Sequence, residues 1–256
     1  MFRRDLAKIQ ATGYSSVRTF STVFNHVSIG PYLADFNLKA NLGIMMRQGD
    51  EQMWLDINGA ISAANHGRNY VSQISVGNEN LSNDNLGQIV WIINHIKSRV
   101  PGHVMVGTTQ RPNEWLSHDI HEIYYLANTA AYLGVNVYPF FSDLGNGAVP
   151  MIKMLNLQWD QIQRRFPHSK LILGETGWPS AWGHNNHGNE ASDGISAQYY
   201  REFKEQFFNQ GSAGASLGAD EAYYFQFFDQ PYKNGQFEPH FGLTIDGETK
   251  NNFNWA

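Results

Sequence analysis

The stretch from Gln73 to Gly107 reads QISVGNENLSNDNLGQIVWIINHIKSRVPGHVMVG. It opens on a short β-branched run, Gln73–Gly77, and closes on another, His103–Gly107. Between them Leu86, Ile89, Val90, Ile93 and Ile96 recur at helical spacing on one face, and Pro101-Gly102 stops that helix. Strand, helix, strand in one such span is a βαβ unit, and its two strands must be parallel with a right-handed crossover.

The same rhythm runs along the chain. Apolar, β-branched or aromatic runs occur at Ser15–Phe20, Leu42–Met46, Gln73–Gly77, His103–Gly107, Leu133–Tyr138, Lys170–Gly174 and Tyr223–Phe228. Most start roughly 30 residues after the one before, the length of a βα unit. The last gap is wider and holds a polar loop from Ser180 to Gly194. Ile195, Tyr199, Phe203 and Phe207 share a second helical face, and Phe2, Leu6 and Ile9 mark a short opening helix that ends at Thr12-Gly13. An open doubly wound sheet fits this rhythm too, but so many parallel units favour a closed barrel. No Gly-x-Gly-x-x-Gly turn follows any run, so a dinucleotide fold has no support. The expected fold is α/β, a (β/α)8 TIM barrel. A barrel has eight strands and seven runs are visible, so the first strand is expected to lie outside residues 1–256. All 256 residues read as a single catalytic domain, with no linker, repeat or low-complexity tract.

Composition narrows the function. The chain is 42% hydrophobic with a formal net charge of −5 and no basic run. A nucleic-acid partner normally needs a basic face, so that class is disfavoured. No segment approaches the roughly 20 apolar residues of a membrane span. Cysteine is absent, which removes thiol catalysis and thiolate metal sites. Aromatics reach 14% against 16% charged residues. Most must fill the core, while some can stack on sugar rings.

Active residues of a barrel sit at the C-terminal ends of its strands. After Ile74-Ser75-Val76-Gly77 come Asn78 and Glu79; after Leu171-Ile172-Leu173-Gly174 come Glu175 and Thr176-Gly177-Trp178-Pro179-Ser180. One glutamate at a strand end is most often half of a structural ion pair. Two at equivalent positions, one beside Asn78 and one near Trp178, suit glycosidic cleavage, where one carboxylic acid protonates the leaving oxygen and one carboxylate attacks the anomeric carbon. Glu79 and Glu175 are therefore the catalytic candidates.

Val76-Gly77-Asn78-Glu79 and Gly174-Glu175-Thr176-Gly177-Trp178-Pro179-Ser180 resemble the two signatures of glycoside hydrolase family 17, the β-1,3-glucanases and β-1,3-glucanosyltransferases. Val17-Arg18-Thr19-Phe20 resembles that family's second strand. Asn136-Val137-Tyr138-Pro139-Phe140-Phe141 resembles its sixth. Phe228-Asp229, Lys233 and Glu238-Pro239-His240-Phe241-Gly242-Leu243 resemble its eighth-strand region. The resemblance implies a retaining mechanism, with Glu79 as acid then base and Glu175 as nucleophile, their carboxyls about 5–5.5 Å apart. It implies that Asn78 bonds near the sugar 2-hydroxyl, that Tyr138 holds the nucleophile, and that Arg18, Trp178, Lys233 and Glu238 line the substrate site. For Lys233 and Glu238 the plain alternative is a surface salt bridge.

Three departures stand out. The family's first strand is absent from the matched span, Gln230 replaces a residue often acidic, and residues 142–174 are shorter than in plant members, which implies a shorter acceptor side. Gln230 and the seven strands keep a second reading open, a non-catalytic glucan-binding barrel. No cofactor and no metal is implied, and the pairs His118/His121 and His184/His187 read as chance spacing. The expected partner is β-1,3-glucan or a laminari-oligosaccharide, the expected state a monomer. The expected location is extracellular or the cell wall, with any leader already removed, since MFRRDLAKIQ is amphipathic. Asn80-Leu81-Ser82 fits a glycosylation pattern but adjoins Glu79, so it is expected unmodified. Trp54, Trp115 and Trp159 are expected to pack helices. Trp182, in the polar loop, is as apt a sugar platform as a packing residue.

Overall fold

The computed structural model describes residues 2–36, 38–66, 69–82, 85–117, 120–145, 147–206, 221–245 and 248–250. The chain divides into two compact units, residues 1–135 and 136–256.

In the first unit helix α1 (Phe2–Ala11) precedes five parallel strands: β1 (Ser16–Arg18), β2 (Lys39–Ile44), β3 (Val71–Asn78), β4 (Met105–Gln110) and β5 (Leu133–Asn136). They hydrogen-bond in that order. Their registers place Leu42 opposite Ile74, Ile74 opposite Val106, and Thr109 opposite Gly134. Helices α2 (Asp50–Ala64), α3 (Leu86–Lys97), α4 (Pro112–Ser117) and α5 (Ile120–Thr129) fill the crossovers. Ala40 to Ile44 are all buried, as a parallel strand covered on both faces requires. On α3, Leu86, Ile89, Val90, Ile93 and Ile96 are buried, the face their spacing marks. Trp115 is fully buried, its Nε1 donating to the Gly134 carbonyl at 2.9 Å.

The sheet also buries polar groups, and these pair. Asn41 Nδ2 donates to Gln73 Oε1 at 2.8 Å, Tyr132 Oη bonds Asn41 Oδ1 at 3.3 Å, and the Ser75 and Thr109 hydroxyls lie 2.9 Å apart. Paired in this way they avoid the desolvation cost of an orphaned buried dipole.

The second unit carries β6 (Leu171–Thr176) and β7 (Ala222–Tyr224), paired in parallel with Ala222 opposite Leu173. Helices α6 (Met151–Gln163) and α7 (Asp193–Lys204) pack here. Tyr199 and Phe203 of α7 are buried, and Phe207 lies outside the described residues. Trp159 of α6 is buried too. The aromatic run 223–228 makes a shorter strand than its composition predicts. Beyond Tyr224 the backbone bonds a returning segment instead: Gln226 N to Phe241 O at 3.1 Å, Leu243 N to Gln226 O at 3.0 Å, Thr244 N to Phe227 O at 3.0 Å. The polar loop folds into a small hairpin, Gly183–His184 against Glu190–Ala191.

Each of the seven sequence runs thus overlaps a parallel strand, with ends that differ by no more than four residues. Among the described residues no helix is long and apolar enough to cross a membrane.

Candidate active site

In the first unit Glu79 follows the last residue of β3. Its backbone φ is +49°, and Gly77 two residues earlier sits at +75°. A β-carbon on Gly77 would lie 2.4 Å from Asn80 Oδ1 and 3.1 Å from Met46 Sδ. Glycine is therefore required both by the turn and by the close approach. The Glu79 amide bonds Thr109 O at 3.1 Å, extending the β3–β4 ladder one residue past the strand. The Glu79 carboxylate meets Arg111, whose Nε and Nη2 lie 2.9 Å and 2.8 Å from the same oxygen, Oε2. Arg47 Nη2 donates to the Glu79 carbonyl. Gln110 Oε1 accepts from the Asn80 and Leu81 amides at 2.9 Å and 3.1 Å, fixing the loop that follows.

Glu114 completes this charged group by accepting from the Arg111 amide at 2.7 Å. Burial pushes the Glu114 carboxyl above its ordinary range; Arg111 opposes this, and the Glu79 charge adds to it. Arg18, the last residue of β1, donates Nη2 to Asn78 Oδ1 at 2.9 Å and lies over the Phe20 ring. So Arg18, Asn78 and Glu79 sit within one bonded neighbourhood.

In the second unit Glu175 is the fifth residue of β6 and only 5% exposed. Tyr138 Oη donates to Glu175 Oε2 at 2.5 Å. The Val137 amide donates to the Glu175 carbonyl at 2.8 Å, so the hydroxyl is delivered by backbone already registered against β6. The Tyr138 ring is held edge-on by Phe225 at 5.8 Å and Phe241 at 5.7 Å. A charge-assisted bond from a wedged phenol fixes the rotamer of a buried carboxylate. Behind Glu175, Thr176 Oγ1 and Tyr199 Oη are hydrogen-bonded, and burial raises the Tyr199 pKa. Lys233 Nζ stands 4.8 Å from the Phe225 centroid, on the ring that also flanks Tyr138. Glu238 begins a short 3-10 turn, Glu238–His240. The Gln230 backbone closes this loop, its amide bonding Pro239 O at 3.0 Å and its carbonyl accepting from Lys233 at 2.9 Å.

One candidate needs correction. Trp178 is 1% exposed, packed against Phe140 at 5.2 Å and Tyr199 at 5.5 Å, with Nε1 donating to Glu190 O at 2.8 Å. A ring enclosed in this way has no face for a sugar. It anchors the segment after Glu175 instead. Trp182 is 64% exposed, its Nε1 bonded to His240 Nε2 at 2.5 Å. Trp54 is partly exposed on α2, edge-on to Trp91 of α3 at 5.9 Å.

Sequence reasoning missed Arg111 and Arg47. The sequence run ends at Gly107, short of the strand's end at Gln110, so Arg111 did not stand out as the first residue after β4. Among the described residues no cluster of three potential metal ligands occurs, and His118 lies outside them.

Parallel strands alternating with helices make this an α/β protein of the (β/α)-barrel class. The BtgE/BtgC glycoside hydrolase domain matches residues 1–242, and the chain belongs to that family, within glycoside hydrolase family 17. It is a glycoside hydrolase or transglycosylase. It is similar to a glucan 1,3-β-glucosidase of Arthroderma benhamiae, 24% identical over 98% of this chain and 83% of that one. A basic vacuolar glucan endo-1,3-β-glucosidase of Nicotiana tabacum is 27% identical over 59% of this chain, which spans 45% of that relative. The family 17 β-1,3-glucanosyltransferase of Rhizomucor miehei superposes with a TM-score of 0.76 at 21% identity, over 99% of this chain and 90% of that one, which shows the barrel fold.

Proposed function

We propose that the chain cleaves β-1,3-linked glucan with retention of configuration through a glycosyl-enzyme. Glu175 is the nucleophile and Glu79 the acid, then the base. The intermediate passes to water, giving an endo-β-1,3-glucanase, or to a second glucan, giving a glucanosyltransferase. Residues 1–256 act as a single catalytic domain.

The observation that carries this reading is the Tyr138–Glu175 bond of 2.5 Å on a carboxylate only 5% exposed. A nucleophile must keep one aim through two displacements, and a buried carboxylate steered by a wedged phenol does so. Support for the glucan substrate comes from the named activities of the Arthroderma, tobacco and Rhizomucor relatives. Asn78, with Arg18 behind it, addresses the sugar beside the scissile bond, and Lys233 and Glu238 line the cleft. The protein acts as a monomer outside the cell or in its wall, where β-glucan is found.

Incubation with laminarihexaose tests the assignment. Proton NMR of the first product should show the β-anomer, and Glu175→Gln should abolish turnover. Products longer than the substrate mean transfer; only shorter ones mean hydrolysis. Initial release of the α-anomer would overturn the retaining mechanism. Full activity of Glu175→Gln would overturn the nucleophile, and glucan binding without turnover in the wild type would favour a non-catalytic barrel.

A further inference from the structure

Glu79 and Arg111 are brought together by sheet register. Asn78 pairs with Thr109 across β3 and β4, and each chain then continues past its strand end, to Glu79 on one side and to Arg111 on the other. Two features separate their contact from an ordinary surface pair, which holds long side chains loosely and contributes little. First, two guanidinium N–H groups converge on one oxygen, at 2.9 Å and 2.8 Å, which fixes direction as well as distance. Second, both partners are anchored at the backbone. The Arg111 amide is bound by Glu114 at 2.7 Å, the Glu79 amide reaches Thr109 O at 3.1 Å, and Arg47 holds the Glu79 carbonyl. Glu79 is the less exposed partner, its side chain 19% accessible against 49% for Arg111.

We infer that Arg111 is a positioning residue for the acid/base, holding the Glu79 carboxyl in one direction at the end of β3. This rests on the role proposed above for Glu79. A glutamate has three side-chain torsions, and proton transfer requires the carboxyl within hydrogen-bond reach of the glycosidic oxygen. Arg111 removes most of that torsional freedom before substrate arrives. Lysine could supply the charge but not the two-pronged fork, so the geometry is specific to arginine.

The test compares two substrates. Laminarihexaose has a poor leaving group and needs protonation; 2,4-dinitrophenyl β-laminaritrioside does not. Arg111→Ala should lower kcat/KM on laminarihexaose about 10- to 100-fold, a part of what general acid catalysis supplies. On the activated substrate the loss should stay within about threefold, and Arg111→Lys should recover the hexaose rate only in part. In a Glu79→Gln background Arg111→Ala should have no further effect, since coupled residues are non-additive. Equal losses on both substrates, or additive losses in that background, would overturn the inference while leaving the Glu79 assignment intact. Unchanged laminarihexaose turnover by Glu79→Gln alone would overturn both. Thermal midpoints confirm folding, and Arg111→Lys serves if the alanine variant does not fold.

Discussion

Tyr138 shows how much one hydroxyl can be made to do. Its oxygen lies 2.5 Å from Glu175 Oε2, inside a clasp of Phe225 and Phe241 rings that leaves the phenol one orientation. Tyr138→Phe keeps the ring and its packing but withdraws the donor from a buried carboxylate. Hydrogen bonds to charged groups contribute about 1.5–3 kcal/mol. With tenfold in rate per about 1.4 kcal/mol, kcat/KM on laminarihexaose should fall roughly 10- to 100-fold, and the thermal midpoint should drop by several degrees because the folded state loses the same bond. Steady-state kinetics alongside a melting curve check this. A variant with wild-type kcat/KM would show that the bond does not serve the reaction. The same residue illustrates what sequence can reveal. The family resemblance of Asn136 to Phe141 implies that Tyr138 holds Glu175, and the two side chains are hydrogen-bonded. Trp178 was marked on equal grounds, yet it packs in the core, because residue type carries no information on which way a ring points. Arg111 was overlooked for the opposite reason: it matches no motif, and only the register of β3 against β4 reveals its partner.

Strands and helices were largely legible, since parallel strands buried on both faces appear as unbroken apolar runs and their helices as single stripes. The strand-end loops were not, because polar bonds between distant segments leave no periodicity. Asp56 on α2 is one such organiser. Its Oδ1 accepts from Ser21 Oγ at 2.7 Å and from the Thr22 and Val23 amides at 2.8 Å each, and its Oδ2 from the Met45 amide at 2.9 Å. It therefore ties the segments after β1 and β2 to one helix. Asp56→Ala would strand these buried donors, at about 1–3 kcal/mol for each left unpaired. Urea titration should show a loss of at least about 3 kcal/mol; a loss below about 1 kcal/mol would mean that the loops hold without it. Lys250 ties the other unit in a similar way, with Nζ 2.9 Å from Asp229 Oδ1 and 2.6 Å from Ser180 Oγ. Burial lowers its pKa, and Asp229 restores part of the shift. A lysine with a lowered folded value binds fewer protons folded than unfolded. Its contribution therefore grows as pH rises from that value towards about 10.4 and fades as pH falls through it. The stability gap between wild type and Lys250→Met, from urea midpoints at several alkaline pH values, should widen upward. A gap that narrows as pH rises would contradict this sign.

At the scale of the whole molecule, charge separates the proposed substrate from other polymers. The chain carries 18 basic and 23 acidic residues, a net −5 on 256 residues, with no basic run. Polyanion binding releases condensed counterions, so affinity falls steeply with salt, in proportion to the phosphates neutralised. A β-1,3-glucan is uncharged and has no such atmosphere to release. Ionic strength can then act only through charges within the protein, and the Arg111–Glu79 contact is too short to be screened much by a Debye length of about 8–10 Å. The KM for laminari-oligosaccharides should accordingly change by less than about twofold between low salt and several times physiological ionic strength, because no counterion term enters the equilibrium. Initial rates across a sodium chloride series, at fixed pH, measure it directly. A log–log slope near zero fits a neutral glucan held by hydrogen bonds and aromatic faces. A slope of one or more would mean that an ionic group on the ligand is being read, and the substrate class would have to change with it.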